Sequence, residues 1–418
     1  MGLLDAVLKR HLLLDDAFDN DSPTAKLEPR DRAFVRLLVA ETLRRLGQID
    51  ALIERCLESP LPPKARRVQD VLRLGAVQML FLDIAPHAAV STAVDLVKHT
   101  ALAGYAKLIN AVLRRLDREG RDWVKAQDAG RLNTPDWLWR AWSADYGEET
   151  AHAIADAHLH SAPTDLCAAH DAPLWAEKLG GHVLPTGAIR LPNPGDITAL
   201  PGFADGTWWV QDAAAQLPAR LLGNVKGRRV LDLCAAPGGK TLQLAGAGAH
   251  VTALDLSARR LERLKQNLER LNLQAEIVAA DGAKWVPPEL FPLILLDAPC
   301  SATGTLRRHP DGLHLKTADD VTRLTLVQDR LLDAALAMLA PGGTIIYCVC
   351  SLEKAEGEAR IDALVAKHPD FRRVPLTPDE VGGMSELITP KGDLRTLPFH
   401  LSEQGGMDAF FAARLQRA

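Results

Sequence analysis

From residue 228 onward, short apolar runs alternate with longer amphipathic stretches, and this alternation constrains the fold more than any other feature. The runs are Val230–Leu233, Val251–Leu254, Ile277–Ala280, Leu293–Leu296 and Thr344–Val349, with helical patterns at 257–272 and 319–339 between some of them. Parallel strands need crossovers long enough to hold a helix, so the pattern predicts a doubly wound, Rossmann-like α/β sheet. Pro341-Gly342-Gly343 reads as a tight turn into the fifth strand, and Asp408–Leu415 as a final edge strand. Ligands of such sheets lie at the carboxyl ends of the strands, so the residues following each run should carry the chemistry.

The rest of the chain has other textures. Phe34, Leu37, Leu38, Leu46, Ile49, Leu52, Ile53, Cys56 and Leu57 recur at three- and four-residue steps, which predicts one apolar helical face. The Pro-rich stretch 59–63 ends it. A second pattern runs from Val68 to Ile84 and closes at Pro86. Ser91 and Thr92 offer caps for a segment at 93–98, and Tyr105–Leu116 is a further helix with Gly120 as its stop. From about 125 to 215 a Trp-rich helix (Trp137, Trp139, Trp142) precedes short strand candidates at Thr164–Ala168, Val183–Leu184 and Trp208–Val210. The expectation is a multidomain chain: an all-α domain over 1–125, a small α+β domain of ferredoxin- or RRM-like kind over 126–215, and the α/β domain over 216–418.

Composition bounds the class. With 418 residues, 47% of them hydrophobic and 24% charged, the chain can fill several cores and is not a disordered or disulfide-stapled sequence. No apolar run approaches the ~18 residues that would span a bilayer. The N-terminal residues fit neither a signal peptide nor a myristoylation site. Six cysteines in a chain this long point to a reducing compartment, and a cytoplasmic protein is expected. A net charge of −4 makes long-range attraction of a polyanion weak, so any nucleic-acid site must be a local cluster.

The first strand of the α/β domain ends in Leu233-Cys234-Ala235-Ala236-Pro237-Gly238-Gly239-Lys240-Thr241, a small-residue turn that lets a ligand approach the backbone. A phosphate-binding P-loop would need Gly where Cys234 stands, and the Gly-x-Gly-x-x-Gly dinucleotide fingerprint is absent. An S-adenosylmethionine loop remains. Asp255, ending the second strand, is placed for ribose hydroxyls, and Asp281, ending the third, can face adenine. Strand-end acids also cap following helices, so each alone is weak; their order together is the signal.

The fourth strand runs into Asp297-Ala298-Pro299-Cys300-Ser301 and the fifth into Cys348-Val349-Cys350-Ser351. Both ends lie at the same sheet edge, so Cys300 and Cys350 should converge on one crevice, with Cys348 facing the core. A lone cysteine is usually a buried small hydrophobe; two beside a cofactor loop point to nucleophilic chemistry. Zinc fits less well, because His309 and His314 lack ligand spacing, and no metal is expected.

These motifs resemble those of the RNA cytosine-C5 methyltransferases of the RsmB (Sun or Fmu) and Nop2/Sun group. Val210-Gln211-Asp212-Ala213-Ala214-Ala215-Gln216 and Arg307-Arg308-His309-Pro310-Asp311 extend the likeness on both sides. Ile84–Val90 and Ile109–Arg114 resemble the NusB-like RNA-binding domain of the RsmB branch. The resemblance implies methyl transfer from S-adenosylmethionine to carbon 5 of a cytosine in 16S ribosomal RNA, with Cys350 as nucleophile, Cys300 assisting proton loss or release, and Asp297 on the cytosine edge. Residues 234–240, Asp255, Asp281 and Asp297 would then hold the cofactor. Three departures stand out: Val349 where Thr is usual, an extra thiol at Cys348, and Ala409 where Gly is usual.

Arg307, Arg308, His309 and Lys316 follow the Cys300 loop and are candidates for phosphate contacts, with Lys107, Arg114 and Arg115 as a second patch. A monomer acting on ribosomal RNA, free or in an assembling small subunit, is the leading expectation. The alternatives are transfer RNA methylation by the same chemistry, a DNA-type enzyme using Cys300 as nucleophile, and a non-catalytic RNA-binding assembly factor.

Overall fold

The computed structural model describes every residue but Asn193, and every side chain but that of Lys64. Two compact units form, one from Met1–Ser161 with Leu306–Thr317, the other from Ala162–Thr305 with Ala318–Ala418.

The first unit is helical. Helices Leu46–Cys56, Arg66–Leu80, Pro86–Lys98 and Ala106–Lys125 enclose a core that includes Ile49, Leu52, Val68, Leu72, Val97, Ile109, Leu113 and Leu116. Three local expectations need correction. The face expected to run from 34 to 57 is divided at Arg45, between helices Pro29–Arg44 and Leu46–Cys56, and Phe34 and Leu37 stay exposed. Pro86 opens its helix at the position where a missing N–H costs nothing, so Ser91 and Thr92 lie inside it. Gly120 is also interior, where a Cβ would come within 3.1 Å of a Leu80 methyl.

The helices Ala129–Asn133, Asp136–Tyr146 and Glu148–His158 pack in this unit as well, so the compact unit continues past residue 125 to Ser161. A polar pair ties them in: Gln48 N–H donates to Asn133 Oδ1 (3.0 Å) and Asn133 Nδ2 to Gln48 Oε1 (2.9 Å), both residues buried. Among the described residues no helix is long and apolar enough to cross a membrane.

The second unit holds two sheets. The smaller is antiparallel and is made of β1 (Thr164–Ala168), β2 (His182–Val183), β3 (Ile189–Leu191) and β4 (Trp208–Val210) in the order β2-β3-β1-β4. It is pinned by a buried fork-to-fork pair, Arg190 Nε and Nη2 to the two Asp165 oxygens at 2.7 Å each. The Ala213 N–H also donates to Asp165 Oδ2.

The larger sheet comprises β5 (Arg229–Leu233), β6 (His250–Asp255), β7 (Glu276–Ala279), β8 (Phe291–Asp297), β9 (Leu339–Val349), β10 (Phe371–Arg373), β11 (Leu394–Arg395) and β12 (Phe411–Arg417). Its order is β10-β12-β9-β8-β5-β6-β7, with β11 also on β12. Strands β5 to β9 run parallel, and β12 enters antiparallel. The expected edge strand at the C-terminus is therefore interior. Its residues Phe411, Ala412, Ala413 and Leu415 are buried, and β9 and β10 flank it. The order reverses at β5, between β6 and β8, which sets a crevice above the carboxyl ends of these strands.

Candidate active site

The turn after β5 is built for close approach. Cys234 (φ +65°) and Gly238 (φ +111°) occupy left-handed backbone, and helix Gly239–Gly246 begins immediately after. A Cβ on Gly238 would stand 2.2 Å from a Leu264 methyl, so only glycine closes this turn. Asp255 fastens the turn from β6: its Oδ2 accepts the Ala236 N–H (3.1 Å) and its Oδ1 the Ser257 N–H (2.9 Å). Beneath, Thr241 donates its hydroxyl to Asp232 Oδ2. Burial, reinforced by the charge of Asp297, pushes the Asp232 carboxyl up to about 7 against that hydrogen bond. A cavity of about 750 Å³ opens over these strand ends, lined by Cys234, Asp255, Ser257, Asp281, Pro299 and Leu331 among others. Asp281 shapes its far side by accepting the Ala283 N–H (3.0 Å).

At the ends of β8 and β9 the backbones cross-brace each other. Ala298 N–H donates to the Cys348 carbonyl (2.9 Å), Gly304 N–H to the Cys350 carbonyl (3.0 Å), and Ala409 N–H to the Gly304 carbonyl (2.9 Å). The bracing brings Cys300 Sγ to 3.5 Å from Cys350 Sγ. The hydrogen bond with Cys350, then burial, then nearby Glu356 push the Cys300 thiol well above the ordinary cysteine range, so Cys300 keeps its proton. Cys348 faces the other way, fully buried, with its S–H on Asp297 Oδ1 (3.4 Å).

Lys240 joins the two halves of the site. Its ammonium donates to Asp297 Oδ2 at 2.7 Å and lies 4.9 Å from the centre of the Phe410 ring. Burial opposes its charge, but Asp297 and the thiols of Cys348 and Cys350 outweigh burial and raise its pKa.

The expected RNA contacts divide. Arg307 is buried, gives its carbonyl to Arg44 (2.9 Å) and reaches the Ser161 carbonyl, so it serves the helical unit and is not offered to phosphate. The segment around it is anchored there too: Asp311 caps Leu14 (3.0 Å) and His314 Nε2 contacts the Leu43 carbonyl (2.8 Å). His309 is exposed and stands 3.5 Å from Asp15, while Arg308 and Lys316 are half-buried. Lys107 and Arg114 are exposed on helix Ala106–Lys125. Among the described residues no cluster of three or more His, Cys, Asp or Glu could hold a metal ion. Sequence reasoning missed the hydroxyls and carboxylates behind the thiols, Ser301, Ser351, Glu353 and Glu356; a serine after each cysteine was the available signal.

A Rossmann-like sheet, a glycine turn at its switch point and a cavity bounded by strand-end acids fit an enzyme with a nucleoside cofactor, and the comparisons name the class. Residues 219–416 match the family described as 16S rRNA methyltransferase RsmB/F, and residues 3–118 match the NusB family. "Ribosomal RNA small subunit methyltransferase B" of Vibrio cholerae is 36% identical over 389 residues, covering 88% of this chain and 89% of that one. The protein of the same name from Pseudomonas putida is 38% identical over 411 residues, covering 93% and 91%. Among solved structures, PH0851 covers 100% of this chain and 98% of its own with a TM-score of 0.76 at 21% identity. A methyltransferase homologue from Pyrococcus horikoshii covers 73% of this chain and 98% of its own with a TM-score of 0.55 at 26% identity. The chain belongs to the RsmB/F methyltransferase family, with a NusB-family domain at its N-terminus. It is an S-adenosylmethionine-dependent RNA methyltransferase.

Proposed function

We propose that this enzyme methylates carbon 5 of a cytosine in 16S ribosomal RNA, with Cys350 as the covalent nucleophile. The observation that carries this reading is the pair of thiols 3.5 Å apart beside the cofactor cavity. Its substrate class rests on the names of its relatives. The residues fit the cofactor: a turn that excludes any Cβ at Gly238, an open cavity, and acids at the ends of β6 and β7. The 234–240 turn, Asp255, Asp281 and Asp297 would hold S-adenosylmethionine, which supplies an electrophilic methyl group when bound.

Carbon 5 of cytosine is too weak a nucleophile to take that methyl unaided. The Cys350 sulfur adds to carbon 6, the 5,6 double bond is broken, and carbon 5 becomes enamine-like. Lys240 would donate to the ring nitrogen or carbonyl as charge moves onto it, and Asp297, which holds that ammonium, would accept from the exocyclic amine of the cytosine. For release, the carbon-5 proton passes to water, the electrons of that C–H bond re-form the 5,6 double bond, and the sulfur leaves as a thiolate. Cys300 retains its proton and aims it at that sulfur, which stabilises the leaving group. Arg308, His309 and Lys316, and the second patch of Lys107, Arg114 and Arg115, remain candidates for phosphate contacts. All six cysteines are free, which fits the reducing cytoplasm.

The test is transfer of labelled methyl from S-adenosylmethionine to deproteinised 16S RNA, followed by digestion to nucleosides. Label in 5-methylcytidine supports the proposal. Label in another nucleoside, or transfer to transfer RNA in preference, would overturn the base or the RNA respectively.

A further inference from the structure

Each site cysteine is followed by a serine, and the two serines meet behind the thiols. Ser301 Oγ and Ser351 Oγ are 3.2 Å apart, and each lies in hydrogen-bonding contact with the same atom, Glu356 Oε2, at 2.5 and 2.6 Å. Glu356 also accepts the Ser301 N–H on Oε1 (2.9 Å). Gln328 Nε2 donates both to that Oε1 (3.0 Å) and to the Pro299 carbonyl (2.9 Å), one residue before Cys300. The Glu356 carbonyl is itself held by the Tyr347 hydroxyl at 2.6 Å. Glu356 is fully buried, so its carboxylate is tolerated only because these donors surround it.

All of these partners are donors to the carboxylate: a backbone N–H, two hydroxyls and an amide NH₂. The contacts divide between its two oxygens, N–H groups on Oε1 and hydroxyls on Oε2, so the first position must accept while the second can accept from the hydroxyls or donate to them. Glu353 closes the other side: its Oε2 accepts the Thr303 hydroxyl and lies 2.9 Å from Ser351 Oγ, whose one proton the two glutamates share. Ser351 is further fixed by Arg395, which donates to its carbonyl (2.6 Å). The two Cys-Ser dipeptides are 50 residues apart in sequence; Glu353 and Glu356 both reach the two serine hydroxyls, and Glu356 also takes the Ser301 N–H.

We propose that Glu356 is a positioning residue for the release step, setting the separation of the two thiols so that Cys300 stays aimed at the Cys350 sulfur. The inference rests on the proposed roles of the cysteines. If the clamp slackens, the nucleophile still attacks, but the leaving sulfur loses its hydrogen-bond donor and the adduct persists.

The test uses the full-length enzyme with 16S RNA and labelled S-adenosylmethionine, comparing wild type, Cys300→Ala, Glu356→Ala and Glu356→Gln. Glu356→Gln keeps an acceptor for the N–H groups and can turn its amide nitrogen to the serine oxygens, so it conserves the clamp that Glu356→Ala removes. Cofactor binding, kcat, KM for RNA and covalent adduct on a denaturing gel are read for each. Glu356→Ala is expected to bind cofactor and RNA within about twofold of wild type and to lose roughly 10- to 100-fold in kcat, while accumulating adduct as Cys300→Ala does. Glu356→Gln should recover a substantial part of kcat and clear the adduct. Wild-type kcat without adduct in Glu356→Ala would overturn the inference, as would lost cofactor binding with no adduct and no recovery in Glu356→Gln. Absence of adduct in Cys300→Ala, with wild type active, would instead overturn the cysteine roles themselves and the inference with them.

Discussion

The two halves of the crevice are built by different means. Over β5, β6 and β7 the work is done by backbone: a left-handed glycine, a buried aspartate spent on two loop N–H groups, and short turns close in sequence. Over β8 and β9 it is done by side chains, with sulfur on sulfur, lysine on aspartate, and serines on buried glutamate. The difference suits the tasks proposed for them. A cofactor needs a fixed mould that touches no reacting atom, whereas covalent chemistry needs groups that exchange protons and let go. Lys240 belongs to the first half by sequence and to the second by contact.

Substitutions can break or sharpen this contrast. The largest effect is expected on the side-chain half: Cys350→Ala should cut methyl transfer by on the order of 10³-fold or more while cofactor binding persists. Loss of binding alongside activity, seen by calorimetry, would show that the halves are not separable. On the backbone half, Gly238→Ala must accommodate both a φ of +111° and the Leu264 methyl. It should weaken cofactor affinity by about 10- to 100-fold, from a strain of about 1–3 kcal/mol, and leave the thiol pair in place.

Asp232 gives a pH signature. Its folded pKa of about 7 lies above the ordinary carboxylate value of ~4, so the folded state favours the protonated form. Its contribution to stability is full below pH ~4 and is lost as pH rises towards 7. Asp232→Asn can still accept the Thr241 hydroxyl and should flatten the dependence of melting temperature on pH across that window; an unchanged profile would mean that the carboxyl is ordinary. The smallest effect belongs to Cys348→Ala. Cys348 is a weak donor to an aspartate already held by Lys240, and activity should stay within about twofold of wild type. A drop as deep as that of Cys350→Ala would move the nucleophile two residues along β9.

The contrast also explains what could be read from sequence. The cofactor half is local: the turn between 234 and 240 and the acids ending β6 and β7 stand in one stretch, and their order carried the reading. Convergence of Cys300 and Cys350 could be inferred because both strands end at one edge. The glutamate clamp could not, because Glu353 and Glu356 acquire meaning only when residues 52 and 55 apart meet. Arg307 failed for the converse reason. An arginine beside a site loop looks like a phosphate contact, and only its burial in the helical unit shows otherwise. The C-terminal strand was legible as a strand, but its interior place depends on β10, a three-residue element with little signal of its own.

The most direct test of the central claim is to present the enzyme with RNA carrying 5-fluorocytidine at the target base. Fluorine at carbon 5 leaves no proton to lose, so an attacking thiol stays bonded to carbon 6. Peptide mass spectrometry of the trapped complex should place the nucleotide on Cys350. A nucleotide on Cys300, or methyl transfer with no covalent complex, would contradict the mechanism.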